Sequence, residues 1–155
     1  MAARLGERLA RQGFTLAVAE SCSGGLLAAR LTDGDGASRF FLAGLTTYSN
    51  AAKTALLGVP PEDLAAHGAV SERVARAMAE GARRATGADA ALAVTGVAGP
   101  GGGTPEKPVG MVWIAAALGD RVEARRFSFA GDRAAVRTAS VTAALGLLDA
   151  LLEEG

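Results

Sequence analysis

Residues 19–25 read Ala19-Glu20-Ser21-Cys22-Ser23-Gly24-Gly25 and join two segments of different period. Phe14 to Ala19, before them, are almost continuously apolar, the pattern of a strand covered on both faces. Leu26 to Leu31, after them, return to helical spacing, so a helix is expected over Gly24 to Leu31. A turn from strand to helix raises a side chain above the carboxyl edge of a sheet. It also points the free N–H groups and the positive dipole end of the helix at whatever sits there. Ser21 is therefore the candidate nucleophile. A plainer role is open to the same residues: Ser21 or Ser23 caps the helix and the glycines allow close helix–sheet packing. Taken alone, that role is the commoner one, although neither serine has Glu or Gln three places on to complete a capping box.

Outward from this turn the chain alternates. An amphipathic helix over Met1 to Gln12 precedes it, with Arg4, Glu7, Arg8 and Arg11 set among Leu5 and Leu9. The turn residues Thr32-Asp33-Gly34-Asp35-Gly36 follow it, then a second strand over Phe40 to Tyr48. Ser49-Asn50 end that strand and cap a short helix, Ala51 to Leu56, with Lys53 in its first turn. Gly58-Val59-Pro60-Pro61 break the chain and a brief helix covers Glu62 to Ala66. Ser71 caps a long helix, Glu72 to Thr86, whose Val74, Ala75, Met78, Ala79 and Ala82 form one stripe; Gly87 stops it. A third buried strand runs from Ala88 to Thr95. Val109 to Leu118 and Val122 to Phe129 form a hairpin about Gly119-Asp120. A last helix follows Gly131-Asp132 as far as Glu154, with Val136, Ala139, Ala143, Leu147, Leu148, Leu151 and Leu152 on its core side. Strands that alternate with helices and are then joined by a hairpin give a mixed sheet with helices on both faces. The expectation is one α/β domain over residues 1–155, a three-layer α/β/α sandwich.

Composition removes several classes of function. Lys plus Arg equals Asp plus Glu at 16 each, so no basic field favours nucleic acid and no acidic run favours disorder. One cysteine, Cys22, and one histidine, His67, leave no disulfide framework and no zinc cluster, so neither metal nor cofactor is expected. No apolar run approaches membrane-spanning length and the N-terminal helix is not a signal peptide, which reads as a cytoplasmic protein without a membrane partner.

The glycine run Gly96 to Gly103 is tested first as a phosphate loop. It lacks G-x-x-x-x-G-K-[ST] and G-x-G-x-x-G, and it leads into a strand instead of opening a helix. What remains is Thr95-Gly96-Val97-Ala98-Gly99-Pro100, a strand end whose amides come near a ligand or which simply forms a flexible excursion. A serine nucleophile needs a base. His67 lies in a polar loop beside Gly68, arginine cannot serve at neutral pH, and the lysines are Lys53 and Lys107. Lys53, in a mostly apolar helix, is the better placed, provided burial or a neighbouring cation lowers its pKa; a solvated lysine is the commoner fate. Arg133 and Arg137 stand four apart at the start of the last helix, where they and its free amides suit an anion, or where they pair with Asp132 or water.

Taken together, the residue 19–25 turn, Tyr48-Ser49-Asn50-Ala51-Ala52-Lys53, Gly68-Ala69-Val70-Ser71, Thr95-Gly96-Val97-Ala98-Gly99-Pro100, Lys107-Pro108-Val109-Gly110 and Gly131-Asp132-Arg133 resemble the CinA C-terminal domain family, the nicotinamide-nucleotide amidases or NMN deamidases (PncC). The resemblance covers nearly the whole chain, in order and spacing. It implies hydrolysis of the carboxamide of nicotinamide mononucleotide (NMN) to nicotinic acid mononucleotide and ammonia, a step of pyridine nucleotide salvage. By position it puts the nucleophile on Ser21 and the lysine on Lys53, with supporting roles on Tyr48, Thr95 and Arg133. Ser23, Gly24 and Gly25 would offer oxyanion donors at the helix N-terminus, and Gly96 would help Thr95 position the substrate. Ser23 stands where the family often has threonine, and Thr104-Pro105 replace a more acidic stretch. The small-molecule substrate is the expected partner, together with a second copy of the chain in a homo-oligomer, a dimer first. The rival readings are a non-catalytic nucleotide-binding module, which has no need of the Ser21/Lys53 pair, and a structural domain of competence or DNA-damage machinery.

Overall fold

A computed structural model describes residues 1–155. Five strands form one sheet in the order β2 (Phe41–Thr46), β1 (Leu16–Glu20), β3 (Ala90–Gly96), β4 (Met111–Leu118), β5 (Arg121–Ser128). β1 is parallel to both its neighbours, β2 and β3, whereas β3–β4 and β4–β5 are antiparallel. The sheet is mixed, as the alternation followed by a hairpin predicts.

The two faces of the sheet differ in side-chain size. Leu16, Val18, Leu92, Val94, Val112 and Ile114 pack with α1 (Ala2–Gln12), α2 (Leu26–Leu31) and α6 (Arg133–Glu153) in one core. The opposite face carries Ala17, Ala19, Ala91, Ala93, Ala115 and Ala117 and packs against the Val74, Ala75, Met78, Ala79 and Ala82 stripe of α5 (Glu72–Thr86). Alternate residues of a strand point to opposite faces, so the Leu-Ala-Val-Ala-Glu of β1 serves both cores. A face paved with alanine lets α5 lie close to the sheet. α3 (Asn50–Leu57) in turn lies close on α5: a Cβ on Gly81 would stand 2.0 Å from the Leu57 carbonyl oxygen.

Several boundaries shift. α2 begins at Leu26, because Gly24 and Gly25 adopt positive φ (58° and 102°) that a helix does not accommodate. β2 ends at Thr46 and, as an edge strand, alternates between half-buried and exposed residues. α4 spans Pro61–His67, and Ala37–Arg39 form a short 3-10 turn before β2. α6 is long and apolar enough to cross a membrane by length and composition, contrary to the sequence expectation, but 56% of its apolar window is buried inside the fold. Ser140, Val141, Ala144 and Leu145 are buried on it in addition to Val136 and the four leucines of the predicted stripe, whereas Ala139 and Ala143 are only half-buried.

β1 connects through α2 to β2 on one side, and the chain then returns through α5 to β3 on the other side. The crevice at the carboxyl ends of β1 and β3 is thus a topological switch point, where α/β sheets hold ligands.

Candidate active site

Ser21 is the first residue past β1, and its N–H extends the sheet ladder to the Val94 carbonyl at 2.9 Å. Its side chain continues the alternation of Ala17 and Ala19, toward the side of the sheet on which α5 and α3 lie. There Lys53 Nζ lies 3.0 Å from Ser21 Oγ. Lys53 is held in the first turn of α3, where Ser49 caps the helix by accepting from the Ala52 N–H at 3.0 Å. The lysine is fully buried. Its Nζ also meets the carbonyls of Thr47 at 2.7 Å and Tyr48 at 3.3 Å, both from the segment that links β2 to α3.

This triplet decides how the amine is used. A neutral lysine has two N–H donors and one lone pair; the two carbonyls take the donors and leave the lone pair for the Ser21 hydroxyl. Burial pushes the Lys53 pKa below its ordinary value; no neighbouring cation adds to the lowering, and only negative charge on Cys22 would oppose it. Cys22 itself is pushed up to about 11 by burial, so it stays a thiol. Lys107 takes another course, donating to the His67 carbonyl at the end of α4. His67 takes no part in the lining.

A cleft of about 310 Å³ opens over this pair. Tyr48, Thr95, Gly96 and Arg133 line it along with Ser21 and Lys53, so six residues singled out from sequence come together. Thr95 is buried, with its hydroxyl donating to the Ala69 carbonyl at 2.9 Å, which fastens the 68–71 loop to the end of β3. Arg133 spans the rim: it donates to the Gly99 carbonyl at 2.9 Å and to the hydroxyl of the exposed Tyr48 at 3.0 Å.

Three predicted residues lie elsewhere. Ser23, Gly24 and Gly25 do not line the cleft. Ser23 is fully buried, and the Gly24 N–H is spent on the Ser21 carbonyl at 3.1 Å. Nor is the start of α2 free to receive an anion. The Leu27 and Ala28 N–H groups donate to the two carboxylate oxygens of Glu20, at 2.8 and 3.1 Å. Glu20 does not have the spacing of a capping box, a carboxylate three places after a serine; it reaches forward to the helix from the strand. Several amides of the cleft lining, those of Cys22 and Ala98 among them, have no protein carbonyl or carboxylate to donate to.

Comparison with known proteins shows the family and the fold. The model of the CinA C-terminal domain matches residues 1–152. The chain belongs to the CinA C-terminal domain family. A CinA-like protein of Geobacter sp. strain M21 is 55% identical over 149 residues, 96% of this chain and 36% of that protein. Among solved structures, competence/damage inducible protein CihA from Agrobacterium tumefaciens is 42% identical with a TM-score of 0.95, over 97% of this chain and 92% of that one. A CinA superfamily protein from Klebsiella pneumoniae is 38% identical with a TM-score of 0.96, over 99% and 96% of the two chains. The chain spans about a third of the length of the curated relatives it matches.

In this CinA domain the two arginines of α6 separate. Arg133 faces the cleft, whereas Arg137 donates to the Ser23 carbonyl at 3.1 Å. Asp132 caps α6 by accepting from the Ala135 N–H at 2.9 Å. The Arg133 and Ala134 amides remain without a protein acceptor, so α6, unlike α2, keeps a free N-terminus beside the cleft.

Proposed function

We propose that this CinA domain is an amidase that hydrolyses the carboxamide of NMN to nicotinic acid mononucleotide and ammonia. The observation that carries the reading is the buried Lys53 amine, 3.0 Å from Ser21 Oγ and pinned by two carbonyls. Resemblance supplies the substrate. The pair supplies a chemistry that suits a carboxamide: a hydroxyl to attack the carbonyl carbon and a base to take its proton.

In this reading Lys53 Nζ takes the Ser21 proton as Oγ bonds to the carboxamide carbon. The resulting oxyanion is met by amides of the cleft lining that have no protein acceptor, that of Cys22 beside Ser21 and that of Ala98. Lys53 returns its proton to the amide nitrogen, the C–N bond breaks and ammonia leaves. Water then attacks the acyl-enzyme, again giving a proton to Lys53, which passes it to Ser21 Oγ as the acid is released. The Thr47 and Tyr48 carbonyls stabilise the ammonium that forms twice per cycle. Arg133 and the free amides of α6 receive the 5′-phosphate at the rim, where a cation and a helix N-terminus both favour an anion.

The test is ammonia release from purified protein given NMN in the presence of EDTA. Turnover that disappears in Ser21→Ala is the expected result. Protein that binds NMN without releasing ammonia would identify a nucleotide-binding module instead.

A further inference from the structure

Glu20 is a buried titratable group that the proposed reaction does not use. Its carboxylate is almost completely buried and spends both oxygens on backbone amides of α2, those of Leu27 and Ala28. Glu20 and Ser21 are consecutive, so they point to opposite faces of the sheet: Glu20 toward α2, Ser21 toward Lys53. The turn between them and the helix contains two glycines at positive φ, residues that do not restrict the backbone to one conformation by themselves. It is closed at its far end by the carboxylate. It is held from outside by Arg137, whose guanidinium donates to the Ser23 carbonyl.

We propose that Glu20 is a positioning residue for the nucleophile: by tying the last residue of β1 to the first turn of α2, it fixes the Ser21 side chain within reach of Lys53. The inference rests on Ser21 being the nucleophile of the amidase reading. A negative charge at a helix N-terminus is favourable, and two charge-assisted bonds to amides fix a geometry that one neutral cap would not. Without the carboxylate, β1 and α2 remain packed through Leu16, Val18 and Leu27, so the fold persists while the turn gains freedom. A displaced nucleophile loses rate steeply, because about 1 Å of misplacement costs up to about a hundredfold. Removing Glu20 should therefore depress the reactivity of Ser21 without touching the base.

The experiment uses a fluorophosphonate probe, whose phosphorus bonds to Ser21 Oγ as fluoride leaves. It reads the nucleophile independently of the natural substrate. Labelling is followed by intact mass, with Ser21→Ala as the blank, for wild type, Glu20→Gln and Glu20→Ala. Val141→Ala, in the core and without a polar contact to the turn, serves as a variant of reduced stability. Glu20→Gln, with one acceptor oxygen for two amides, should label about tenfold more slowly than wild type and Glu20→Ala more slowly still, while Val141→Ala labels at the wild-type rate. The pH at which labelling reaches half its maximum should be the same in Glu20→Gln and wild type, since Lys53 is unchanged. NMN turnover should fall in kcat and leave KM in place. Should Glu20→Gln refold poorly, Glu20→Asp keeps the charge but retracts it by one methylene and should give the same loss. Labelling within twofold of wild type in the folded glutamine or aspartate variant overturns the proposal. A wild type that labels at Ser21 but does not hydrolyse NMN overturns the amidase reading and leaves the positioning role standing; a wild type that neither labels at Ser21 nor hydrolyses NMN overturns both.

Discussion

Lys53 Nζ and Ser21 Oγ lie 3.0 Å apart although 32 residues separate them in the chain, and the amine is fully buried. An amine in that position can accept the serine proton only when neutral. Activity should accordingly rise with pH through the lowered Lys53 pKa and level off before the ordinary lysine value of about 10.4. Lys53→Arg, which keeps a charge but cannot accept a proton, should be nearly as inactive as Lys53→Ala. A pH–rate profile of the arginine variant decides the point: substantial turnover would mean that the charge, not the basicity, is what matters.

The same burial has a stability counterpart. Lys53 has a lower pKa folded than unfolded, so between the two values the unfolded chain binds one more proton and stability rises with pH. Relative to Lys53→Met, which carries no titrating group, wild type should gain about 1.4 kcal/mol per pH unit inside that window and nothing below it. Urea unfolding of both proteins across the alkaline range measures the difference. A difference independent of pH would show that Lys53 titrates normally in the fold.

Ser21→Ala should abolish ammonia release while leaving the fold and the affinity for NMN largely intact, since a nucleophile contributes mainly to the transition state. Isothermal titration with NMN alongside the activity assay reads both quantities. Retained turnover would remove Ser21 from the mechanism.

Arg133 bridges the Tyr48 hydroxyl and the Gly99 carbonyl at the rim. Arg133→Ala should raise KM for NMN more than it lowers kcat, and should have little effect on nicotinamide riboside, which lacks the phosphate. Tyr48→Phe, which removes one acceptor and leaves the guanidinium in place, should have the smaller effect. Equal losses on the two substrates would take the phosphate away from Arg133.

Gly81 touches neither Ser21 nor the cleft, yet its replacement should disturb both stability and rate. A Cβ there meets the Leu57 carbonyl oxygen at 2.0 Å, so Gly81→Ala must push α3 away from α5, at a cost of about 1–3 kcal/mol typical of overpacking. Because α3 carries Lys53, the base should move with it. Thermal unfolding and kcat should fall together, and a variant with unchanged Tm would show that α3 yields without strain.

The layers of this domain follow from local pattern. The apolar Phe14–Ala19 run, the 3.6-residue stripes of α5 and α6 and the Gly119-Asp120 hairpin predict strands, helices and a mixed sheet, because period and turn chemistry act over a few residues. The turn at Ser21 was legible for the same reason, and so were Ser49 and Ser71 as caps. Tertiary structure decided which polar groups meet. Lys53 and Lys107 are equivalent as residue types; the fold buries one beneath Ser21 and sends the other to the His67 carbonyl. Arg133 and Arg137 share a helix face, yet one reaches Tyr48, 85 residues away in the chain, and the other the Ser23 carbonyl. The start of α2 read as an anion site until Glu20 proved to occupy its amides. A buried donor or acceptor must find a partner, and which partner it finds depends on the strands and helices that packing brings together, a long-range outcome that no local spacing encodes.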